Sequence, residues 1–387
     1  MSLPGALAAA ACAAWAYLLV GRGFFWLARE RDDVPPNAPA PGAWPSVVAV
    51  VPARDEADVI ARSLASLLAQ DYPGELSVIV VDDASADGTA AVARSLAPPA
   101  AGGARLEVLA GAPLPAGWTG KLWAIDQGVA HASGGASAPD YFLLTDADIA
   151  HASDNVRRLV GRAEAGGLTL VSLMARLGTR TFPERLLIPA FVFFFAMLFP
   201  FAWVNSPARR TAAAAGGCML VRRDALEAAG GIAAISGEII DDCALAARMK
   251  ARGPIWLGLT RRAVSLRPYG GFGDIAGMIA RSAYAQLRFS RAMLALAVAG
   301  MGLVYLCPPL LFLFASGPPR WAGAAAWAVM ALVFQPILRF YRLSPLWGLA
   351  LPAIGGLYGA ITVASAVDVW RGRGGLWKGR AQAVLSP

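Results

Sequence analysis

The chain has 387 residues, which is enough for one large domain or two ordinary ones. Hydrophobic residues make up 57% and charged residues only 16%, and both values depart from the soluble average towards membrane proteins. The net charge is +8, but the arginines cluster beside apolar segments, which favours a membrane surface over nucleic acid as the partner.

The N-terminal segment predicts a membrane anchor. Residues 1–21 carry no charged side chain, and Arg22, Arg29 and Arg31 follow. A cleavable signal peptide has its positive charges before the apolar run, so we expect 1–21 to be retained as a transmembrane anchor. By the positive-inside rule its C-terminal end is cytoplasmic. Residues 22–45, whose later part is rich in Pro and Ala, are predicted to be a linker.

Short apolar runs then alternate with helical patterns. Strands are predicted at 46–51, 76–81, 106–109 and 141–144. Helices are predicted at 57–70 and from 118 to about 132. Another helix is predicted to begin after Asp87, which would be its capping residue. This β-α-β-α-β-α-β order is typical of a parallel sheet with right-handed crossovers. A further strand is predicted at 168–174, and Gly216-Gly217 precede another.

Three of these strands end in carboxylates. Asp55-Glu56, Asp82-Asp83 and the pair Asp146 and Asp148 would share one rim of the sheet, where open α/β sheets bind ligands. Like charges on one rim repel one another unless a cation or hydrogen-bond donors compensate. Asp146 and Asp148 offer the hard oxygen ligands that Mg²⁺ or Mn²⁺ prefer alongside substrate phosphates, which predicts a metal–diphosphate site. The D-x-D spacing alone fits a solvated turn at a strand end equally well.

Several function classes lose support because their motifs are missing. No G-x-G-x-x-G follows the first strand and no P-loop motif occurs, which disfavours dinucleotide and P-loop sites. His131 and His151 are the only histidines and no H-E-x-x-H occurs, which argues against a zinc hydrolase. The cysteines lack metal-type spacing and are interpreted as small core residues, namely Cys12, Cys218, Cys243 and Cys307.

Residues 186–204 form an uncharged segment that is dense in Phe. Its length permits a membrane span. A single crossing here would, however, separate Asp242 from Asp146 and Asp148 if these residues work together. We therefore expect a helix that lies in the membrane interface, with an ordinary core helix as the alternative.

The segment 237–248 places Asp241 and Asp242 at a helix start, where the helix dipole favours ionised Asp. Asp242 is therefore a candidate general base. The spacing alone favours a simpler interpretation, which is a helix with an acidic first turn.

After Arg291 the chain becomes almost free of charge, which predicts a transmembrane region at 292–368. The segments 292–319 and 321–338 are predicted to be membrane helices joined by a tight turn. The segment 343–367 is ambiguous: a crossing would place the basic tail, 369–387, outside, against the positive-inside rule. Its Pro352 and Gly355-Gly356 permit a re-entrant hairpin instead, and we favour a cytoplasmic tail.

Four motifs occur in a fixed order along the chain. V-P-A-R-D-E at 51–56 is similar to P-x-x-[NR]-[DE]-E, and V-D-D-A-S-A-D-G-T at 81–89 matches V-D-D-x-S-x-D-G-T closely. T-D-A-D at 145–148 fits D-x-D, and 241–248 is similar to E-D-x-x-L-x-x-R. In this order the chain resembles family-2 inverting glycosyltransferases with a GT-A fold, over roughly residues 46–291.

Further segments resemble a subfamily called hopene-associated glycosyltransferases. They are the anchor at 1–21, W-T-G-K-L-W-A at 118–124, A-Q-L-R-F-S at 285–290 and W-K-G-R at 377–380. The resemblance departs from the family at the Q-x-x-R-W motif, where Ala285 stands at the Gln position. Because that motif accompanies processive synthesis in relatives, its absence favours a single transfer over polymerisation.

The family resemblance implies a nucleotide-sugar site. Asp83 would bind the uracil base, and Pro52, Asp55 and Glu56 would lie near the nucleotide. Lys121 would meet a phosphate.

The resemblance also implies a metal site and a base. Asp148 would ligate Mg²⁺ or Mn²⁺, and Asp146 would lie beside the metal, the ribose and the diphosphate. Asp242 would be the catalytic base.

The resulting hypothesis is a multi-pass enzyme of the cell inner (cytoplasmic) membrane with a cytoplasmic α/β domain of the GT-A type, which is Rossmann-like and mostly parallel. It would invert configuration while moving a sugar from a nucleotide sugar, with UDP favoured, to a lipid acceptor, for which a hopanoid is one candidate. The alternatives are a processive polysaccharide synthase and a non-catalytic membrane scaffold with a transferase-like domain. The scarcity of polar residues in the membrane segments argues against a transporter.

Overall fold

A computed structural model describes residues 2–33, 41–96, 104–135, 137–372, 376–377 and 380–381. The chain divides into two compact units. We call one the sheet unit, which is formed by 30–178, 203–268 and the residues from 376 onwards. The other, the helical unit, is formed by 1–29, 179–202 and 269–375. Two stretches of the predicted 46–291 domain, 179–202 and 269–291, thus group with the apolar helices.

The regular elements follow one another from the N-terminus as helices and strands. The strands are β1 (Val47–Ala53), β2 (Leu76–Asp82), β3 (Arg105–Ala110), β4 (Tyr141–Thr145), β5 (Ile149–His151), β6 (Leu170–Arg176), β7 (Cys218–Arg222), β8 (Ile255–Ser265), β9 (Leu376–Trp377) and β10 (Arg380–Ala381). The helices are α1 (Leu3–Val20), α2 (Ala57–Leu68), α3 (Thr89–Ser95), α4 (Gly120–Ser133), α5 (Asn155–Gly166), α6 (Phe182–Leu198), α7 (Phe201–Val204), α8 (Arg223–Ala228), α9 (Asp241–Lys250), α10 (Phe272–Gln286), α11 (Arg291–Met301), α12 (Cys307–Phe314), α13 (Pro318–Val333), α14 (Gln335–Tyr341) and α15 (Leu351–Trp370).

The sheet unit is built on an eight-stranded sheet with the order β3-β2-β1-β4-β7-β6-β8-β5. The first four strands of this order are parallel, as the sequence predicts. β7 is antiparallel to both β4 and β6, whereas β6 and β8 are parallel. The fold is therefore an α/β fold with a mostly parallel sheet. The reversal at β7 puts its first residue, Cys218, opposite Thr145 at the end of β4.

Continuous burial explains why these strands read as apolar runs. Every residue of β4 is buried, and α2 covers the sheet with Ile60, Leu64 and Leu67, which are fully buried. The predicted strands are confirmed, and their ends lie within two residues of the predicted ones. Gly88, rather than Asp87, caps α3, because this position has a φ of 89°, which favours glycine.

The predicted linker is partly built into the sheet. Arg31 pairs in parallel with Leu259 of β8, and the Asp32 N–H donates to the Leu259 carbonyl at 3.1 Å. The Asp32 carboxylate accepts a 2.6 Å hydrogen bond from Thr260. Residues 34–40 of the linker lie outside the described residues.

The helical unit contains helices that could cross a membrane by length and composition. Among the described residues there are four such helices, at Leu3–Val20, Arg291–Phe314, Pro318–Tyr341 and Pro345–Trp370. The segment predicted to be interfacial, 186–204, is divided between α6 and α7. The break falls at Phe199, because the residue before a proline is disfavoured in a helix.

The re-entrant hairpin that the sequence of 343–367 permits is not formed, because α15 is one continuous helix. Pro352 lies in its first turn, where the missing N–H removes no helical hydrogen bond. A Cβ at Gly355 would lie 2.6 Å from the ring of Tyr305, so this glycine permits close helix packing. The cytoplasmic position of the tail, which depended on the hairpin, loses that support. Most of 369–387, including Lys378 and Gly379, lies outside the described residues.

Candidate active site

Lys121 joins two acidic segments at the carboxyl edge of the sheet. Its Nζ lies 2.9 Å from Asp146 Oδ1 and 3.2 Å from Asp241 Oδ2. It stands in the first turn of α4, after the N-cap Thr119, where the helix dipole disfavours a cation. Burial disfavours its charged form, but Asp146 and Asp241 outweigh burial and raise the pKa of Lys121. Lys121 is therefore a fixed positive charge beside these carboxylates.

Asp242 is held by two backbone donors. The Gly216 N–H donates to its Oδ2 at 2.9 Å, and the Cys243 N–H donates to its Oδ1 at 2.7 Å. Burial and the Asp241 charge raise the pKa of Asp242 to about 6, against the opposing effects of Lys121 and the two backbone donors. A carboxylate with this pKa is ionised at neutral pH and basic enough to accept a proton.

Gly216 is a site residue that the sequence interpretation missed. A Cβ at this position would lie 3.1 Å from Lys121 Nζ and 3.6 Å from Asp242 Oδ2. The backbone thus approaches both side chains closely. The Gly216-Gly217 pair before a buried strand is a signal of such an approach. The structure brings together three predicted site residues, Lys121, Asp146 and Asp242.

Arg267 bridges two predicted site residues and was not predicted. Its Nε lies 2.9 Å from Asp148 Oδ2, and its Nη2 lies 2.7 Å from Glu56 Oε1. The Ser265 hydroxyl also donates to Asp148 Oδ2, at 3.3 Å. Burial disfavours the charged guanidinium, but Asp148 and Glu56 outweigh burial and raise the pKa of Arg267. Because Arg267 follows the last strand of the sheet and belongs to none of the four motifs, no local signal marks it.

The remaining predicted residues lie around the ends of β1 and β2. Arg54 Nη1 lies 3.6 Å from Asp83 Oδ2, and Asp83 is buried. Asp55 has a φ of 50°, and its Oδ1 accepts a 2.8 Å hydrogen bond from the Ala86 N–H. Pro52 is buried within β1, beyond the residues that pair with β4. A strand can accommodate proline where its N–H has no pairing role.

Part of the 81–89 motif holds two loops together. The Ser85 hydroxyl accepts a 3.0 Å hydrogen bond from the Asp55 N–H, and the Thr89 hydroxyl accepts one of 2.8 Å from the Glu56 N–H. Asp87 Oδ2 accepts a 2.9 Å hydrogen bond from the Ala57 N–H. These three side chains fix the loop after β1, which carries Asp55 and Glu56.

A hydrogen-bonded chain of buried side chains lies behind the site. Thr145 Oγ1 donates to the Gly217 carbonyl at 2.8 Å and lies 3.0 Å from His151 Nε2. Asn155 Nδ2 lies 2.9 Å from His151 Nδ1. Burial lowers the pKa of His151 to about 4, so the ring is neutral. Because Thr145 Oγ1 donates to Gly217 and Asn155 Nδ2 donates to Nδ1, the ring carries its proton on Nε2. These hydrogen bonds connect the end of β4 to the glycine pair, of which Gly216 contacts Asp242.

The carboxylates fit a divalent cation only together with a ligand. Within the described ranges, no group of three or more His, Cys, Asp or Glu side chains is placed to hold a metal. Asp146 and Asp148 are hard oxygen donors, and Mg²⁺ and Mn²⁺ accept one or two such carboxylates plus phosphate oxygens. Burial and then the Asp148 charge raise the pKa of Asp146, against the effect of Lys121. A cation would relieve this repulsion, so the donor set fits.

Comparisons with known proteins identify a family and a fold to which this chain is similar. Residues 48–230 match the family described as Glycosyl transferase family 2. The succinoglycan biosynthesis protein ExoO of Rhizobium meliloti (strain 1021) is 31% identical over 175 residues, which are 40% of this chain and 44% of that protein. An N-acetylglucosaminyltransferase of Mesorhizobium japonicum is 44% identical over 64 residues, which are 16% of this chain and 15% of that protein. The chain thus spans less than half the length of these relatives.

One solved structure resembles almost the entire chain. Mannosyltransferase PcManGT from Pyrobaculum calidifontis, in complex with GDP-Man and Mn²⁺, has a TM-score of 0.55 and 22% identity, and the match covers 97% of this chain and 100% of that one. At this identity the likeness concerns the fold. The hopene-associated subfamily stays a prediction. Residues 48–230 are thus similar to glycosyltransferase family 2, and the fold is GT-A-like.

Proposed function

We propose that the protein is a membrane-bound, inverting glycosyltransferase that moves a sugar from a nucleotide sugar to an acceptor hydroxyl. One observation carries the proposal. The Asp242 carboxylate is held by two backbone N–H groups, at 2.7 and 2.9 Å, in a cluster that also contains the cation Lys121 and Asp146. The family match over residues 48–230 supports the same chemistry.

In this mechanism Asp242 accepts the proton of the acceptor hydroxyl. The hydroxyl oxygen attacks the anomeric carbon while the bond to the diphosphate breaks on the opposite face, so configuration inverts. Each Asp242 oxygen accepts one backbone hydrogen bond and retains a second lone pair for the acceptor proton. The positive charge of Lys121 keeps Asp242 ionised and stabilises the departing nucleotide diphosphate.

The donor site is proposed to use the loops after β1 and β2. Asp83 would bind the base, and Pro52, Asp55 and Glu56 would line the nucleotide. Asp148 and Asp146 would hold Mg²⁺ or Mn²⁺, which would neutralise charge on the leaving diphosphate. The similar mannosyltransferase was solved with GDP-Man and Mn²⁺, a ligand and a metal of these two classes. Both UDP- and GDP-sugars therefore belong in the test.

A lipid acceptor is proposed because of the helical unit. Its candidate membrane helices expose large apolar side chains, including Leu3, Leu296, Leu313, Phe314 and Trp321. Such surfaces are stable in contact with lipid. An acceptor dissolved in the inner (cytoplasmic) membrane, with a hopanoid as one candidate, would reach the enzyme by lateral diffusion. The catalytic domain would lie on the cytoplasmic side, where nucleotide sugars are made.

A processive polysaccharide synthase is the second candidate, because one relative is a succinoglycan biosynthesis protein. Ala285, at the Gln position of Q-x-x-R-W, favours a single transfer instead. The mass of the product distinguishes the two functions, since a synthase adds many sugars and a single-transfer enzyme adds one.

The test uses the full chain in detergent with a panel of UDP- and GDP-sugars and Mg²⁺ or Mn²⁺. Nucleotide release is measured with and without extracted membrane lipid, and the lipid product is weighed by mass spectrometry. We expect lipid-dependent release that Asp242→Asn and EDTA both abolish. Lipid-independent release would overturn the lipid acceptor, and no turnover or binding of any nucleotide sugar would favour the non-catalytic scaffold.

A further inference from the structure

Arg267 has no part in the mechanism above, although it forms ion pairs with Asp148 and Glu56, two of the carboxylates proposed to bind the donor. Its guanidinium lies 2.9 Å from Asp148 Oδ2 and 2.7 Å from Glu56 Oε1. The two carboxylate side chains are 10% and 12% exposed, whereas that of Arg267 is 38% exposed. A buried carboxylate is costly without a counter-charge, so Arg267 compensates this pair while no ligand is bound.

The two aspartates of the D-x-D motif thus have separate cationic partners. Asp146 pairs with Lys121 at 2.9 Å, and Asp148 pairs with Arg267 at the same distance. Lys121 has a second acidic partner in Asp241 and is only 14% exposed, which makes it a fixed part of the site. Arg267 is the more exposed of the two cations. It is therefore the one that can leave its carboxylate for another ligand.

The backbone next to Arg267 favours such a movement of the side chain alone. The Leu266 N–H donates to the Asp148 carbonyl at 2.7 Å, and the Arg267 N–H donates to Ser265 Oγ at 3.3 Å. The main chain is thereby fixed beside Asp148. Rotation about the side-chain bonds of Arg267 changes only the position of the guanidinium.

We propose that Arg267 is a counter-ion that a divalent cation displaces from Asp148, and that the released guanidinium then binds the nucleotide diphosphate. This inference rests on the proposed metal–diphosphate site. A divalent cation and the guanidinium repel each other on one carboxylate, so the cation alone binds weakly. A diphosphate supplies anionic oxygens that both cations can bind, since arginine forms paired hydrogen bonds with phosphate. Metal and nucleotide therefore bind with positive coupling.

The test measures Mn²⁺ binding rather than turnover. The full chain in detergent is titrated with Mn²⁺, alone and with UDP or GDP, and free Mn²⁺ is read by electron paramagnetic resonance. For the wild type we expect affinity to rise about tenfold or more when the nucleotide is present. For Arg267→Gln we expect Mn²⁺ alone to bind about tenfold more tightly than to the wild type, with the coupling reduced.

Two further variants make the result specific. Arg267→Lys keeps the positive charge and should keep the weak binding of Mn²⁺ alone. Arg262→Gln removes a β8 arginine that pairs with Asp154 at 3.1 Å instead, and it should leave Mn²⁺ binding unchanged. Thermal melting of each variant shows whether it folds. If Arg267→Gln does not fold, comparison of Arg267→Lys with the wild type still measures how the shape of the cation affects the coupling between Mn²⁺ and nucleotide binding.

The outcomes separate this inference from the proposed function. If Arg267→Gln binds Mn²⁺ alone as weakly as the wild type while nucleotide strengthens binding in both, Arg267 is not the competing ion. If no variant binds Mn²⁺ even with nucleotide, the metal–diphosphate site itself is wrong.

Discussion

The backbone N–H of Gly216 donates a 2.9 Å hydrogen bond to Asp242 Oδ2. Gly216 lies just before β7, and β7 is antiparallel to β4, so the start of β7 and the end of β4 meet at one edge. The candidate base on α9 is therefore positioned by the segment that also approaches Lys121. A small change at Gly216 should disturb two charged groups at once.

We predict that Gly216→Ala reduces activity more than stability. The added Cβ would lie 3.1 Å from Lys121 Nζ, so the ammonium must shift, which disturbs its 2.9 Å contact with Asp146. Turnover and thermal melting check this. Gly161→Ala is the matched control, because nothing lies within 4 Å of its added Cβ, and it should leave turnover unchanged. Equal losses in both variants would contradict a role for Gly216 in the site.

The pH dependence of turnover should report Asp242. Burial raises its pKa to about 6, and a base must be unprotonated, so kcat should fall as the pH drops through about 6. Asp242→Asn should lower kcat by about 10²–10⁴-fold at pH 7.5. Asp126, whose pKa burial also raises, provides the control variant Asp126→Asn, which should keep both rate and profile. Substantial turnover by Asp242→Asn would exclude this base.

Removal of the Lys121 charge should raise the pH at which activity is lost. Lys121 opposes the rise in the Asp242 pKa, so Lys121→Met should move the acid limb of the profile to higher pH. The variant should also be destabilised by about 1–3 kcal/mol, less than for a fully buried pair because Asp146 is 36% exposed. Lys121→Arg keeps the charge and should keep most of the stability. If the acid limb of the pH profile of Lys121→Met lies at the same pH as in the wild type, Lys121 does not affect the pKa of Asp242.

His151 should remain neutral across the physiological pH range. Burial lowers its pKa to about 4, whereas the unfolded chain binds the proton near 6.5, so stability should decrease as the pH falls below about 6.5. The chain has two histidines, so ¹⁵N-histidine NMR with His131→Gln for assignment can follow the ring directly. We expect a neutral ring with its proton on Nε2 down to about pH 4. Protonation of the His151 ring near pH 6 would contradict its burial as a neutral ring between Thr145 and Asn155.

Two conservative substitutions of Thr145 test whether its hydrogen bond to Gly217 supports the site. Thr145→Ser keeps the hydroxyl that donates to Gly217, whereas Thr145→Val keeps the shape and removes it. Only the valine variant should disturb the glycine pair beside Asp242 and shift the acid limb of the pH profile.

The strands and the motif positions could be predicted because they depend on local sequence. A parallel strand that is buried on both faces is a continuous apolar run, as in β1 and β4, and carboxylates follow it where the chain leaves the sheet. The position of Asp242 in the first turn of α9 was likewise visible in the sequence.

Other features could not be predicted because they depend on distant partners. Arg267 is recognisable only by its contacts with Glu56 and Asp148, which lie more than 100 positions earlier in the chain. Gly355 was interpreted as a residue that permits a re-entrant hairpin, but in the structure it leaves room for the Tyr305 ring. The orientation of β7 is set by its pairing with β4 and β6, which its own five residues do not specify.

The position of β7 in the sheet has a consequence for synthesis of the chain. β7 lies between β4 and β6, but it is translated after α6. At about 5–20 residues per second, β7 leaves the ribosome roughly 1–5 s after α6, and β8 leaves it roughly 3–13 s after α6. Until β7 is made, β4 has an unpaired edge, and until β8 is made, β6 has one; such edges can pair with other chains. Slow translation between 203 and 265 should therefore increase aggregation of the nascent protein, even though it changes no contact of the finished fold.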